Sequence, residues 1–413
     1  MMNTTFSAKL RLVLAIIFIG VVAGLGAAFL SWLIHQVEHL VFGHSESEFR
    51  IVTDGTTWQQ RLLGLTIGGV VIGILWACLQ MFGRAIVGIN GMIKGKKAPM
   101  PENIAHSLLQ IFAVGVGAPV GREVAPREIG ALFAGTIADK LKIDAQMRSI
   151  LVACGAAAGL AGVYHVPFAG TIFALEILIG VINVPYAIIA LSISVIATFV
   201  ARITVSAETF YLIPQISGTA EHIMWAAILG LLVGIPAKVF RLQVKWAEST
   251  RFSKKHLFWA LPLGFIISGI VAIWLPQILG NGRSTAQTAY WASVSLGVCI
   301  SLFIAKWLTV LVTLKAGAYG GTLTPGLAIG AILGTSLGMI FHFWFPSMDV
   351  VMAALVCSAA FLAVSMNAPF TAFALTIGFT GQSFDAYLPM LVCICMAYAS
   401  ASLIGNKPTA SAS

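Results

Sequence analysis

Long apolar runs, separated by short polar stretches, occupy this chain at roughly 10–34, 61–83, 148–204, 221–240, 257–276, 293–314, 326–345 and 350–404. About 20 apolar residues suffice for a helix to cross the hydrocarbon core, so the pattern predicts a polytopic bundle of membrane helices. Glycine and proline interrupt several runs, which predicts partial or re-entrant spans among them. Residues 12–34 follow Lys9 and Arg11 as a secretory signal would. The stretch is long and the chain stays hydrophobic after it, so it reads as a retained first span.

Composition agrees: 59% of residues are hydrophobic, 9% are charged and 41 are glycine, with a mean hydropathy of +0.95. Such a chain is many apolar helices, not one soluble core. Net charge is +9, and its distribution between loops carries the information. The 37–60 loop holds Glu38, Glu46, Glu48 and Asp54 against Arg50, whereas 84–103 holds Arg84, Lys94, Lys96 and Lys97 against Glu102, and 241–255 is also basic. Lys and Arg accumulate on the cytoplasmic side, which places 37–60 outside and the other two inside. With its basic residues in short loops and on no single soluble face, no nucleic-acid partner is expected. The six cysteines fall within apolar segments without ligand spacing and read as small core residues; Cys393 and Cys395 point to different helix faces. No cofactor or metal site is expected.

In so apolar a chain, Gly121-Arg122-Glu123-Val124-Ala125-Pro126-Arg127-Glu128 stands out as a charged turn between hydrophobic segments. An ionisable group at membrane depth costs several kcal/mol or more, so it marks an ion or proton path; the bland alternative makes Glu123 a structural partner of Arg122 or Arg127. An internal repeat supplies the setting. Ala157-Ala158-Gly159-Leu160-Ala161 recurs as Ala359-Ala360-Phe361-Leu362-Ala363, and Val166-Pro167-Phe168-Ala169 as Ala368-Pro369-Phe370-Thr371, both 202 positions later. Ile129-Gly130-Ala131-Leu132 recurs 200 positions later as Ile329-Gly330-Ala331-Ile332, behind prolines Pro126 and Pro325 that each open a helix. Two homologous halves, 1–205 and 206–413, are the reading, and duplicated halves with broken helices build transporters whose substrate binds between the repeats. Helix N-termini left inside the membrane attract an anion through free N–H groups and the positive dipole end, without a full charge that would hold it too tightly. The expected substrate is a small anion. Gly320-Gly321-Thr322-Leu323-Thr324-Pro325 is the second such turn; Gly88-Ile89-Asn90-Gly91-Met92 and Gly280-Asn281-Gly282 are either further candidates or ordinary loops.

These residues resemble the CLC chloride channels and proton-coupled chloride antiporters. Gly121-Arg122-Glu123-Val124-Ala125 resembles the GREGP signature, and Gly321-Thr322-Leu323-Thr324-Pro325 the GxFxP signature. Gly155 to Ala161, Val166 to Gly170 and Phe173 to Glu176 resemble the family segment between them, and the likeness spans about 100–405. It implies an all-helical membrane protein of two inverted repeats with partly re-entrant helices, forming a homodimer in lipid with one pore per subunit; since the chain ends soon after its last apolar run, no cytoplasmic regulatory domain is expected. A compact membrane-only chain fits a bacterial inner membrane. The resemblance also implies that Glu123 is the gating glutamate, a plug and a proton carrier. The amides of Thr322 and Leu323 would bind a central anion and those of Arg122, Glu123 and Val124 an outer one, with Gly88 and Asn90 near the place of the GSGIP signature.

Departures from the family pattern bear on coupling and selectivity. Val124 and Ala125 replace a glycine and a proline. Ile177 stands where the antiporters carry an inner proton-transferring glutamate, and Ala410 where a tyrosine donates to the central anion. Glu176 stays open between an inner relay and a structural carboxylate. Chloride is the expected anion, through a channel or a proton exchanger, with fluoride as the alternative. In a different class, an intramembrane hydrolase would use Ser336 of Gly334-Thr335-Ser336-Leu337-Gly338 or histidines such as His35 and His39. That motif lies in a small-residue helix without an elbow, His165 and His342 are isolated, and packing explains both glycines better.

Overall fold

The computed structural model describes residues 2–44, 55–204 and 209–405. The acidic positions Glu46, Glu48 and Asp54, and Ala410, lie outside them. Eight helices form the first half: α1 (Met2–Phe42), α2 (Trp58–Phe82), α3 (Ile89–Ile93), α4 (Met100–Gly115), α5 (Val124–Lys140), α6 (Ala145–Tyr164), α7 (Pro167–Phe173, widening into a π-helical turn over Ala174–Ile179) and α8 (Val184–Ala201). Eight form the second: α9 (Ala220–Ser249), α10 (Leu257–Trp274), α11 (Arg283–Trp291), α12 (Leu296–Lys315), α13 (Leu323–Trp344), α14 (Val350–Met366), α15 (Pro369–Thr380) and α16 (Tyr387–Ser402). Among the described residues nine helical segments are long and apolar enough to cross a membrane.

Packing in one half repeats that in the other. Helix α6 packs on α5, α7 and α8 while α8 packs on α1; likewise α14 packs on α13, α15 and α16 while α16 packs on α9. Across the halves, α2 meets α10 and α7 meets α15. These are two inverted repeats of partly broken helices. Their relation shows at the centre, where Gly121 and Gly321 form an antiparallel bridge with reciprocal N–H···O bonds of 2.7 and 2.8 Å.

The broken runs have a local cause. The apolar stretch 148–204 divides at His165, which caps α6 at φ 56°, and 350–404 divides at Asn367, which caps α14 at φ 58°. Each is followed by one residue and then Pro167 or Pro369, which cannot continue a helix from the preceding turn but suits the start of a new one. Helices α6 and α14 are almost wholly buried and rich in Ala and Gly, as expected where helices associate by close packing and not by a hydrophobic drive. Large apolar side chains such as Leu63, Ile67, Val71, Phe199, Leu263 and Ile304 stay exposed on the periphery, where lipid would cover them.

The basic loops share one face. Arg148 Nη1 and Ser149 Oγ donate to the Met92 and Ile93 carbonyls, and Lys254 N–H donates to Gln80 Oε1. Segments 84–103, 141–148 and 250–256 therefore lie together, so the basic loops expected on the cytoplasmic side share one face.

Candidate functional site

Two matching loops build the site. After α4 the chain turns through Gly117 at φ 107°, and after α12 through Gly317 at φ 111°. Ala118 N–H reaches back to Ala113 O at 3.0 Å and Ala318 N–H to Thr313 O at 3.2 Å. Each loop then returns to the central bridge and starts a helix, α5 or α13, with Pro126 or Pro325 in its first turn. First-turn N–H groups have no intrahelical partner, so both ends present donors, and neither end carries a cap from its own N-cap side chain.

Glu123, the N-cap residue of α5, is fully buried, and its side chain crosses to the other repeat. Leu323 N–H donates to its Oε1 at 2.9 Å and Thr324 Oγ1 to its Oε2 at 3.3 Å. A carboxylate from the first half thus caps the positive end of a helix from the second, a charge-assisted contact. The cradle depends on glycine: a Cβ on Gly121 or on Gly321 would overlap the Glu123 carboxyl group. Arg122 is buried against aromatic rings, its guanidinium 5.6 Å from the Tyr164 ring centroid and 5.7 Å from that of Phe210, while Arg283 stacks on Phe210 at 4.6 Å. Arg127 stacks on Phe173 at 4.6 Å.

Of the sequence-predicted residues, the structure brings Glu123 onto Leu323, with Arg122, Val124 and Thr322 as chain neighbours in the same two turns. Gly88 and Asn90 sit apart on the exposed start of the five-residue α3, where Gly88 O accepts from Met92 N–H. The Gly280 to Gly282 turn is buried instead: Gly282, at φ 98°, packs against the first turn of α13, and buried Lys306 Nζ donates to the Ile278 and Gly280 carbonyls at 2.7 and 2.8 Å. Glu176 accepts from Phe370 N–H at 3.2 Å and from Thr371 N–H and Oγ1 at 2.7 and 2.6 Å, capping α15 of the opposite repeat. Ile177 beside it is exposed. Tyr398, on α16, donates to Ala363 O. Ser336 lies in the continuous helix α13 and donates to Ile332 O, so its motif makes no strand-to-helix elbow. Sequence reasoning missed Thr324, whose hydroxyl joins the cradle, and Glu128, whose side chain enters a buried polar cluster; both stood in quoted motifs, but only the fold shows what they face.

The family model for voltage gated chloride channels matches residues 68–402. The voltage-gated ClC-type chloride channel ClcB of Citrobacter koseri is 27% identical over 401 residues, and that of Escherichia coli O17:K52:H18 is 28% identical over 402, each match covering 94% of both chains. Among solved structures, a slow cyanobacterial Cl⁻/H⁺ antiporter superposes with a TM-score of 0.83 at 22% identity, covering 96% of each chain. A CLC-type fluoride/proton antiporter superposes at 0.73 and 21%, covering 97% of this chain and 96% of that one. With the paired broken helices, the central glycine bridge and a match over most of its length, the chain belongs to the CLC family of voltage gated chloride channels.

Proposed function

We propose that this protein moves chloride across a membrane along a path on which Glu123 is the gate. The observation that carries the reading is the buried Glu123 carboxylate on the Leu323 amide. A carboxylate and a halide compete for the same donors, so the ionised side chain fills the place an anion would take. Protonation removes its charge, weakens its hold on the helix end and frees the N–H groups. Binding falls to the backbone amides of Thr322 and Leu323 centrally and of Arg122, Glu123 and Val124 on the outer side, where Arg122 and Arg283 add positive field. Glu176 is assigned a structural role as the cap of α15.

Residues 1–205 and 206–413 are the two repeats, and the working unit is a homodimer in a bacterial inner membrane, as the enterobacterial relatives suggest. The test is flux from proteoliposomes under a chloride gradient, with fluoride in a parallel arm because one structural neighbour is a fluoride/proton antiporter. Chloride movement carried with or against protons supports the reading as exchange, and without them as a channel. Fluoride movement without chloride replaces the substrate, and no movement of either overturns the reading.

A further inference from the structure

A second buried carboxylate, Glu128, lies on α5 five residues beyond the gate and is 8% exposed. Its Oε2 accepts from Gln110 Nε2 at 2.7 Å and from Ser107 Oγ at 3.4 Å, and His106 Nε2 stands 3.8 Å away. The three partners share one face of α4. Trp76 Nε1–H donates to His106 Nδ1 at 3.1 Å, so the proton of the neutral imidazole is on Nε2, toward Glu128. Gln110 is 1% exposed, and its Oε1 is buried with no hydrogen-bond partner. A buried acceptor left unpaired is costly. Turning the Gln110 amide over would give that oxygen a donor as soon as Glu128 carried a proton, so the cluster can satisfy Glu128 as an anion or as an acid.

Charge and position point the same way. Arg127 is within electrostatic reach of both Glu123 and Glu128, so the two carboxylates share its charge and a proton on one leaves that cation to the other. The elements packed on α5 are α1, α3, α4 and α6. Among the described residues the charged or titratable groups facing Glu128 are Arg127 and His106, with Arg251 acting on His106 from beyond. Helix α5 runs from the gate to Lys140 at the basic face, and α4 begins at that face. His106 packs edge-on against Tyr319, with ring centroids 4.5 Å apart, and Arg251, from a loop of that face, lies 4.2 Å from the Tyr319 centroid. A polar column thus extends from Glu128 toward the cytoplasmic side.

We propose that Glu128 is a proton-holding site that supplies Glu123 from the cytoplasmic face, on a route that does not pass through Ile177. The ionised Glu128 carboxylate takes a proton from cytoplasmic water. The neutral acid then passes it to the Glu123 carboxylate, and Glu128 returns to its ionised form beside Arg127 while neutral Glu123 leaves the Leu323 amide to the anion. His106, Gln110 and Ser107 are positioning residues for Glu128. The proposal rests on the anion-transport reading above.

The test measures anion flux in uniformly oriented vesicles, with pH set separately on the two faces. Wild-type flux should change with pH at the cytoplasmic face, by up to about tenfold per unit, the limiting slope of one titrating group. Glu128→Gln, which keeps the volume and a hydrogen-bond partner for Gln110, should hold that change under about twofold over the same range while leaving the response to the opposite face in place. His106→Gln should shift the midpoint of the cytoplasmic profile without lowering the flux ceiling. Should Glu128→Gln not fold, Glu128→Asp decides: a moved midpoint supports the assignment and an unmoved one overturns it. An unchanged cytoplasmic profile in Glu128→Gln, or a wild type that moves anions with no cytoplasmic pH dependence, overturns the proposal and leaves the transport reading standing. A wild type that moves no anion removes both.

Discussion

Replacing Glu176 by alanine separates a structural cap from an inner proton relay. The carboxylate satisfies the first two N–H groups of α15, those of Phe370 and Thr371, and the Thr371 hydroxyl, at 3.2, 2.7 and 2.6 Å. Losing an N-cap to alanine costs about 1 kcal/mol, and hydrogen bonds to a charged group about 1.5–3 kcal/mol each. The three contacts share one half-buried carboxylate, so their combined loss is about 3 kcal/mol. A chain of 413 residues unfolds with an entropy near 0.9 kcal/mol/K by the usual per-residue value of about 2.1 cal/mol/K. Glu176→Ala should therefore lower the unfolding midpoint in detergent by about 3 °C, and Glu176→Gln, which keeps an acceptor oxygen, by about half as much. Anion flux per folded protein and its response to cytoplasmic pH should not change in either variant. The reasoning is refuted if Glu176→Gln melts like wild type yet loses its cytoplasmic pH response, because a relay would then be the better account.

Two further outcomes follow from the geometry. Gly321→Ala places a methyl group in the volume used by the Glu123 carboxyl group and, on the proposed mechanism, by the anion. Its backbone lies outside the left-handed region, so the variant should fold while flux falls by about tenfold or more, the effect of about 1.4 kcal/mol at the site; wild-type flux would show that the cradle is not on the path. At the cytoplasmic surface Arg84 Nε and Nη2 clasp Glu102 at 2.8 and 2.9 Å and hold its carboxyl low, from 4.5 to about 2. A lowered native value stabilises the fold above the unfolded value and is lost as pH falls through the native one. The difference in melting midpoint between wild type and Arg84→Gln should thus be constant above pH 4.5 and shrink toward pH 2; a difference that grows on acidification contradicts the pairing.

Much of the architecture was legible because hydropathy and repetition are local signals. The two repeats, the broken helices and the charged turn at Glu123 with its counterpart at Thr322 could be read from hydropathy, repetition and the helix-opening prolines Pro126 and Pro325. Helices α4 and α11 were missed: α4 carries Glu102, Asn103, His106 and Gln110, and α11 carries Arg283 and Gln287, so neither forms an apolar run although both pack into the interior. The left-handed caps at His165 and Asn367 also escaped, because neither residue type signals positive φ as glycine does. Glu176 left two roles open in the sequence because its partners, Phe370 and Thr371, lie 194 and 195 residues away in the other repeat. The same distance problem hid the reach of Glu123 to Leu323, 200 residues on. Inverted repeats interdigitate at their centre, so the contacts that define the site are those that local sequence pattern cannot show.

The central claim is that the Glu123 carboxylate occupies the anion's place and that its charge closes the path. Glu123→Gln tests it most directly, since the amide keeps the size of the side chain but can neither ionise nor carry a proton. In proteoliposomes with a chloride gradient, the variant is expected to pass chloride at a rate that no longer depends on pH and without accompanying proton movement, whereas wild-type flux rises on acidification. A variant whose chloride flux keeps the wild-type pH dependence would contradict the account.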